Sequence, residues 1–270
     1  MPEGPETRAM ADFMHKDMVG KTIISISEMK GMNASYLPLT VKQVWSKAKR
    51  VIISCIAADN KQMHIFCFLA LTGIWRRNEG KYTKKILNFG EIIENEKIQI
   101  IIKKDSYYYD DRDNKGKMKV LNDFELTKEF AKTGADILDM TPSLLKSHIL
   151  SQPSINLPLY TSMLDTKTFV GVGNIYRAEI LYYAGIDPKR SVSMLNEKEI
   201  DRLCEVSVHI LKLAYQQGGC SFQDYILPDG NKGGYINVIY RRNPAPCGNA
   251  ITFLEDDNNR KMYWCPNSQR

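Results

Sequence analysis

The sequence predicts an α+β fold: a helix with a β-rich domain, then a helical domain that carries a small terminal hairpin. Three observations predict it. Apolar residues recur at helical spacing near the start of the chain. From about 22 to 120, β-branched and apolar runs are broken by Gly, Asn and Asp clusters. After about 125, capping residues and helical spacing take over until two last strand-like runs.

The elements follow in order. Residues 5–19 place Met10, Phe13, Met14 and Met18 on one helix face, with Pro5 near the start and Gly20 just past the end. TIISISEM, VIISCIA, MHIFCFLAL and KIQIIIKK read as strands. Thr141 followed by Pro142 is a cap and a first-turn proline leading into SLLKSHIL. Asn196 and Glu199 form a capping pair ahead of a long amphipathic helix that stops at Gly218-Gly219. YINVIYRR, AITFLED and MYWC return to strands, the last two joined by the turn DDNNRK. No internal repeat and no low-complexity linker is visible.

Composition narrows the function classes. The chain has 270 residues, 43% hydrophobic and 25% charged, enough for a packed core in one large or two modest domains. The net charge of +6 suits a polyanionic partner without proving one. No apolar run approaches the length of a membrane span, and the N-terminus shows no secretory pattern. Six scattered cysteines then read as reduced thiols, and the expected location is intracellular, nuclear or cytoplasmic.

Two stretches carry candidate chemistry. In MPEGPE, Pro5 fits a turn or the first turn of a helix, but Pro2 lies ahead of any structure. Removal of Met1 would leave Pro2 with a secondary amine, a nucleophile suited to Schiff-base chemistry. The hexamer alone leaves both readings open. In TFVGVGNIYRAEILYYAGI, Gly171 and Gly173 lead into a helix that starts near Asn174. Such a turn offers unpaired N–H groups and a positive dipole end to a phosphate; an ordinary tight joint between helices is the alternative.

Taken together, these stretches resemble the Fpg/Nei family of DNA glycosylases, which excise oxidised bases and nick the strand. The resemblance runs the length of the chain. It includes P-E-G-P-E, K-A-K, L-T-G-I-W, M-L-D-x(5)-G-x-G-N-I-Y-x-x-E-I-L, G-G-x(4)-D-Y and a terminal hairpin with arginine at its turn. It implies a helix plus β-sandwich catalytic domain (1–125), a helix-two-turn-helix domain (126–234) and a hairpin finger (235–270). It also implies a monomer acting on DNA with oxidised bases or abasic sites, with no membrane partner.

The site residues are likewise carried by the resemblance. Pro2 matches the nucleophile that attacks C1′, and Glu3 the carboxylate that moves protons as sugar and base separate. Glu6 matches a further carboxylate near the site; a solvated first-turn glutamate is its plain alternative. Lys49 matches the lysine that approaches phosphate and supports β-elimination, although period two would put Lys47 on the same strand face. Asn174 matches a phosphate-contacting asparagine, and Arg260 the arginine that grips phosphate and assists δ-elimination. Leu71 matches the apolar side chain inserted where the base is extracted, with core packing as its alternative. Arg112 resembles the arginine facing the orphaned base, and Asn114 stands where the Fpg branch has a wedging phenylalanine.

The finger departs from the family pattern. Of four zinc cysteines, only Cys247 and Cys265 remain; Pro244 and Ser268 fill the other positions. Two thiolates without a further Cys or His do not close a structural zinc site, so the expectation is a zincless finger and no cofactor. For the lesion, Gly4 and T-G-I-W look like the Nei branch and point to oxidised pyrimidines. The glycine-rich segment after Tyr225 points instead to a mobile lid over 8-oxoguanine, or to a plain surface loop.

Overall fold

The computed structural model describes residues 2–27, 36–94, 99–220 and 225–270. Met1, the end of TIISISEM, the first two residues of KIQIIIKK and Asp224 lie outside the described residues. The chain divides into two compact units. One comprises 1–2, 6–130 and 221–233; the other comprises 3–5, 131–220 and 234–270, and so contains the terminal hairpin.

The first unit is built on a helix and an antiparallel sheet. The helix α1 (Gly4–Met18) turns Met10, Met14 and Met18 inward, as its spacing predicts. The strands are β1 (Thr22–Ile26), β2 (Leu39–Lys47), β3 (Arg50–Ala57), β4 (Gln62–Phe68), β5 (Ile74–Arg76), β6 (Thr83–Glu94), β7 (Gln99–Asp110) and β8 (Lys117–Leu121). They join in the order β5-β7-β6-β1-β2-β3-β4-β8. Val51, Ile53 and Cys55 from one half of this sheet share a buried cluster with Trp75, Leu87, Phe89 and Tyr107 from the other half. The two halves therefore pack over one core, as in a sandwich. The opposite face of β3 and β4 is also covered: Ile52 and Phe66 pack with Leu126 of α2 (Asp123–Phe130). Burial on both faces explains why VIISCIA is an unbroken apolar run rather than an alternating one.

The second unit contains α3 (Pro142–Leu150), α4 (Leu159–Ser162), α5 (Asn174–Ala184) and α6 (Glu197–Gln216), then β9 (Thr252–Glu255) paired with β10 (Lys261–Trp264). The caps are those the sequence predicts. Thr141 Oγ1 accepts from Leu144 N, and Asn196 with Glu199 makes a complete capping box on α6. Helix α5 ends at Gly185, whose φ of 73° is the left-handed cap.

YINVIYRR is not a strand. It makes one bridge, between Cys220 and Tyr235, and three of its backbone N–H groups pair with a side chain. The buried carboxylate of Glu179 on α5 accepts from the backbone N–H groups of Val238, Ile239 and Tyr240 at 2.8, 2.9 and 3.1 Å. Three consecutive donors turned toward one carboxylate are not available to a ladder, whose donors alternate in direction. Burial pushes the Glu179 carboxyl up from its ordinary value, and the three N–H groups oppose that shift.

The glycine-rich segment after Tyr225 is held in place where it is described. Ile226 and Leu227 pack on the first unit's core, Gly230 N donates to Leu227 O, and Leu227 N donates to Asn231 O. Pro228 O accepts from Arg77 N at the end of β5. Between residues 225 and 231 these contacts make a packed, hydrogen-bonded turn.

Candidate active site

In the first unit, Pro2 lines a cavity of about 390 Å³ together with Leu71, Thr72, Asp110, Arg112 and Tyr225. That volume falls within the range of small-ligand sites, roughly 300–1,000 Å³. Leu71 is 44% exposed in the turn after β4, so the core-packing alternative fails for it. Its neighbour Thr72 is anchored: Thr72 Oγ1 donates to Asp111 Oδ1 at 2.7 Å and accepts from Asp113 N at 3.0 Å. Asp111 also accepts from Gly116 N at 2.6 Å. One buried carboxylate thus ties the Leu71 turn to the turn that carries Arg112. Arg112 Nε lies 3.3 Å from Asp113. Asn114 has φ of 52°, a left-handed position that asparagine tolerates better than phenylalanine.

Glu6 is 1% exposed, so it is not the solvated first-turn glutamate of the plain alternative. Its backbone carbonyl accepts from Tyr225 Oη at 3.2 Å. The two lysines do not share a strand face. K-A-K is not one strand: β2 ends at Lys47, Ala48 has φ of 54°, and Lys49 stands in the turn before β3. The turn breaks the period-two alternation that would have put both lysines on one face. Lys47 Nζ sits 5.0 Å from the Phe130 ring centroid, a packing contact.

A Ser–His–Asp series in this unit has another role. Ser54 Oγ is 2.9 Å from His64 Nδ1, and His64 Nε2 is 2.9 Å from Asp123 Oδ1. Ser54 is buried and its oxygen accepts from Trp45 Nε1. A nucleophile must reach substrate; this serine instead ties β2, β3, β4 and α2 together.

The second unit holds Glu3, Asn174 and Arg260. Glu3 is fully buried, and its two carboxylate oxygens accept from Ile175 N at 3.0 Å and Tyr176 N at 3.3 Å. The start of α5 is thus occupied by a carboxylate of the chain itself, where the glycine turn suggested N–H groups left open for phosphate. A carboxylate at that end is favoured by the same dipole and the same unpaired donors. Asn174 opens the helix, and its Oδ1 is buried without a hydrogen-bond partner among the described residues.

Gly4 explains the glycine of P-E-G-P-E by packing. Its N–H donates to Gly171 O at 2.8 Å, and a Cβ on Gly4 would stand 2.8 Å from Gly171 Cα. Gly4 therefore has no room for a side chain, whereas Gly171 is held to glycine by its φ of 96°.

Sequence reasoning missed Arg177 and Asp256. Arg177 lies in the first turn of α5 and is fully buried, a cation at the positive end of a helix. That conflict was the available signal. Its Nη1 donates to Tyr160 O and lies 3.6 Å from Asp256, while Nε and Nη2 have no hydrogen-bond partner among the described residues. Burial pulls its pKa down to about 10, with the charges of Asp256 and Glu3 opposing, so it stays cationic at neutral pH. Asp256 organises the hairpin turn. It accepts from Asn258 N and Arg260 N at 3.0 Å each and from Arg260 Nε at 2.8 Å. Arg260 is thereby aimed by a buried carboxylate while 40% of its side chain stays exposed.

At the base of the hairpin, Cys247 and Cys265 have Ser268 and Asn249 as neighbours. Hydroxyl and amide donors do not complete the thiolate and imidazole set of a structural zinc. Among the described residues no group of three or more His, Cys, Asp or Glu side chains comes together to hold a metal ion. No described helix is long and apolar enough to cross a membrane.

Comparison with known proteins adds a family match, two relatives and two solved structures. Residues 138–225 match the family model described as the formamidopyrimidine-DNA glycosylase H2TH domain. The chain is 39% identical over 113 residues to the formamidopyrimidine-DNA glycosylase of Prochlorococcus marinus (strain MIT 9211), a match that spans 40% of each protein. It is 25% identical over 284 residues to endonuclease 8 of Pectobacterium carotovorum, covering the whole of both. Among solved structures, MutM (Fpg) from Thermus thermophilus superimposes with a TM-score of 0.83 at 22% identity, over 99% of this chain and 98% of that one. A Lactococcus lactis Fpg variant in complex with DNA containing Fapy-dG gives 0.80 at 21% identity, over the full length of both.

Proposed function

The chain belongs to the family of formamidopyrimidine-DNA glycosylase and endonuclease 8, and from that premise we propose that it is a bifunctional DNA glycosylase and abasic-site lyase for oxidised bases. The observation that carries the reading is Pro2 on the wall of a cavity, with Glu3 as the next residue. The chain itself keeps amine and carboxylate adjacent, and the attack at C1′ requires both.

In this reading the secondary amine of Pro2, freed when Met1 is removed, gives its lone pair to C1′. The C1′–N bond to the damaged base breaks, and Glu3 manages the protons as the sugar ring opens. The resulting imine acidifies the neighbouring C2′ hydrogens, and successive β- and δ-elimination release the two strand ends. Lys49, at the tip of a tight turn, and Arg260, aimed by Asp256, supply cations for phosphates. Asn174 offers a buried amide whose oxygen still lacks a partner, a group that a bound ligand would satisfy. Leu71, exposed and anchored through Thr72, fills the gap left by the extracted base, and Arg112 faces the orphaned one. Glu6 supports the site from a buried position.

Oxidised pyrimidines are the proposed substrates. The packed turn at 225–231 supports the plain surface loop over a lid on 8-oxoguanine, and T-G-I-W has its likeness to the Nei branch. Gly4 no longer counts for either side, because its contact with Gly171 accounts for it. Single-turnover excision from matched duplexes, each with one lesion, tests this. Faster release of 5-hydroxyuracil or dihydrouracil than of 8-oxoguanine opposite cytosine is expected. The reverse order moves the chain to the purine-excising side.

A further inference from the structure

The hairpin's two remaining cysteines form a built pair that the glycosylase reading does not use. Cys247 Sγ and Cys265 Sγ are 3.6 Å apart, in van der Waals contact. Cys247 is exposed and Cys265 buried. The exposed one sits in a cage of donors: Ser268 Oγ lies 3.0 Å and Asn249 Nδ2 3.4 Å from Cys247 Sγ. Tyr182 of α5 reaches the same sulfur with its hydroxyl.

We propose that Cys247 is a peroxide-reactive thiolate and Cys265 its resolving thiol, so that oxidation closes a reversible disulfide across the base of the hairpin. The step balances. The Cys247 thiolate attacks one oxygen of a hydroperoxide, the O–O bond breaks, hydroxide or alkoxide leaves, and Cys247 becomes a sulfenic acid. The Cys265 thiol then attacks that sulfur, the S–O bond breaks, water leaves, and the S–S bond forms. A dithiol in the reducing pool reverses the reaction by exchange.

The surroundings favour this pair over the chain's other thiols. Ser268 and Asn249 stabilise the charged sulfur, and the Cys247 pKa is pulled down to about 6. Cys55, Cys67, Cys204 and Cys220 are all buried, and burial pushes Cys55 and Cys204 up to about 12. Only Cys247 combines exposure, donors and a sulfur neighbour. The bond would enclose β9, the turn with Arg260, and β10 in one covalent ring. It would clasp the hairpin where the family pattern uses metal.

The test uses the full-length reduced protein and hydrogen peroxide. The expected result is the loss of two hydrogen masses per chain, restored by dithiothreitol, with a Cys247–Cys265 cross-linked peptide in a non-reducing map. Cys265→Ala is expected to leave a sulfenic acid at Cys247 that dimedone traps. Ser268→Ala is expected to slow oxidation at neutral pH roughly fivefold and to shift its pH profile upward. Linkage between other cysteines, only intermolecular disulfides, or oxidation of Cys247 no faster than of the buried thiols would overturn the proposal. None of these readouts depends on glycosylase activity, so the two readings fail separately.

Discussion

Glu3→Gln is expected to lower excision of an oxidised base by about 10²–10⁴-fold while leaving nicking at a preformed abasic site within about tenfold of wild type. The division follows from the chemistry. Base release needs a proton moved as the C1′–N bond breaks, whereas an abasic site already offers its aldehyde to the amine. The structure adds a folding cost. Both carboxylate oxygens of Glu3 hold N–H groups at the start of α5, and glutamine turns an NH₂ toward one of them. That mismatch costs about 1–3 kcal/mol, so thermal melting of the variant is measured beside its kinetics. Equal loss of both reactions in a protein that is still folded would mean that Glu3 serves the α5 end and not the proton.

The largest effect on stability is expected at Glu179. Glu179→Ala removes the acceptor for Val238, Ile239 and Tyr240 N–H together, at a cost of about 3–5 kcal/mol. For a chain of this size the melting temperature should fall by roughly 10 °C. Glu179→Gln keeps one acceptor and should lose less. The segment also reaches the hairpin, since the rings of Tyr240 and Tyr263 meet edge to face at 5.2 Å. A melting temperature within about 2 °C of wild type for the alanine variant would show that these N–H groups find water or other partners.

What the sequence made legible was what depends on neighbours a few residues away. The methionine face of α1, the Thr141 cap and the Asn196–Glu199 capping box are local patterns, and each stands in the structure as read. YINVIYRR failed because a run rich in apolar and β-branched residues also suits a segment whose N–H groups are drawn to a distant carboxylate. Glu179 lies some sixty residues earlier, and no period in the segment points to it. The likeness of Lys47 to Lys49 failed for a related reason: one left-handed residue, Ala48, resets the alternation. The candidate site shows the same split. Pro2, Glu3 and Asn174 were found through motif stretches, whereas Asp111, Arg177 and Asp256 hold other groups in place across the fold. Asp111 is 39 residues from Thr72, a separation that the local pattern does not register.

The central claim is that the amine of Pro2 forms the covalent link to DNA. Borohydride reduction during reaction with a duplex bearing an abasic site tests it most directly, followed by peptide mapping of the trapped complex. The account predicts a stable protein–DNA adduct located on Pro2, and none when Met1 is retained or the N-terminus is extended. An adduct of equal yield from the blocked protein, or one mapped to Lys49, would contradict it.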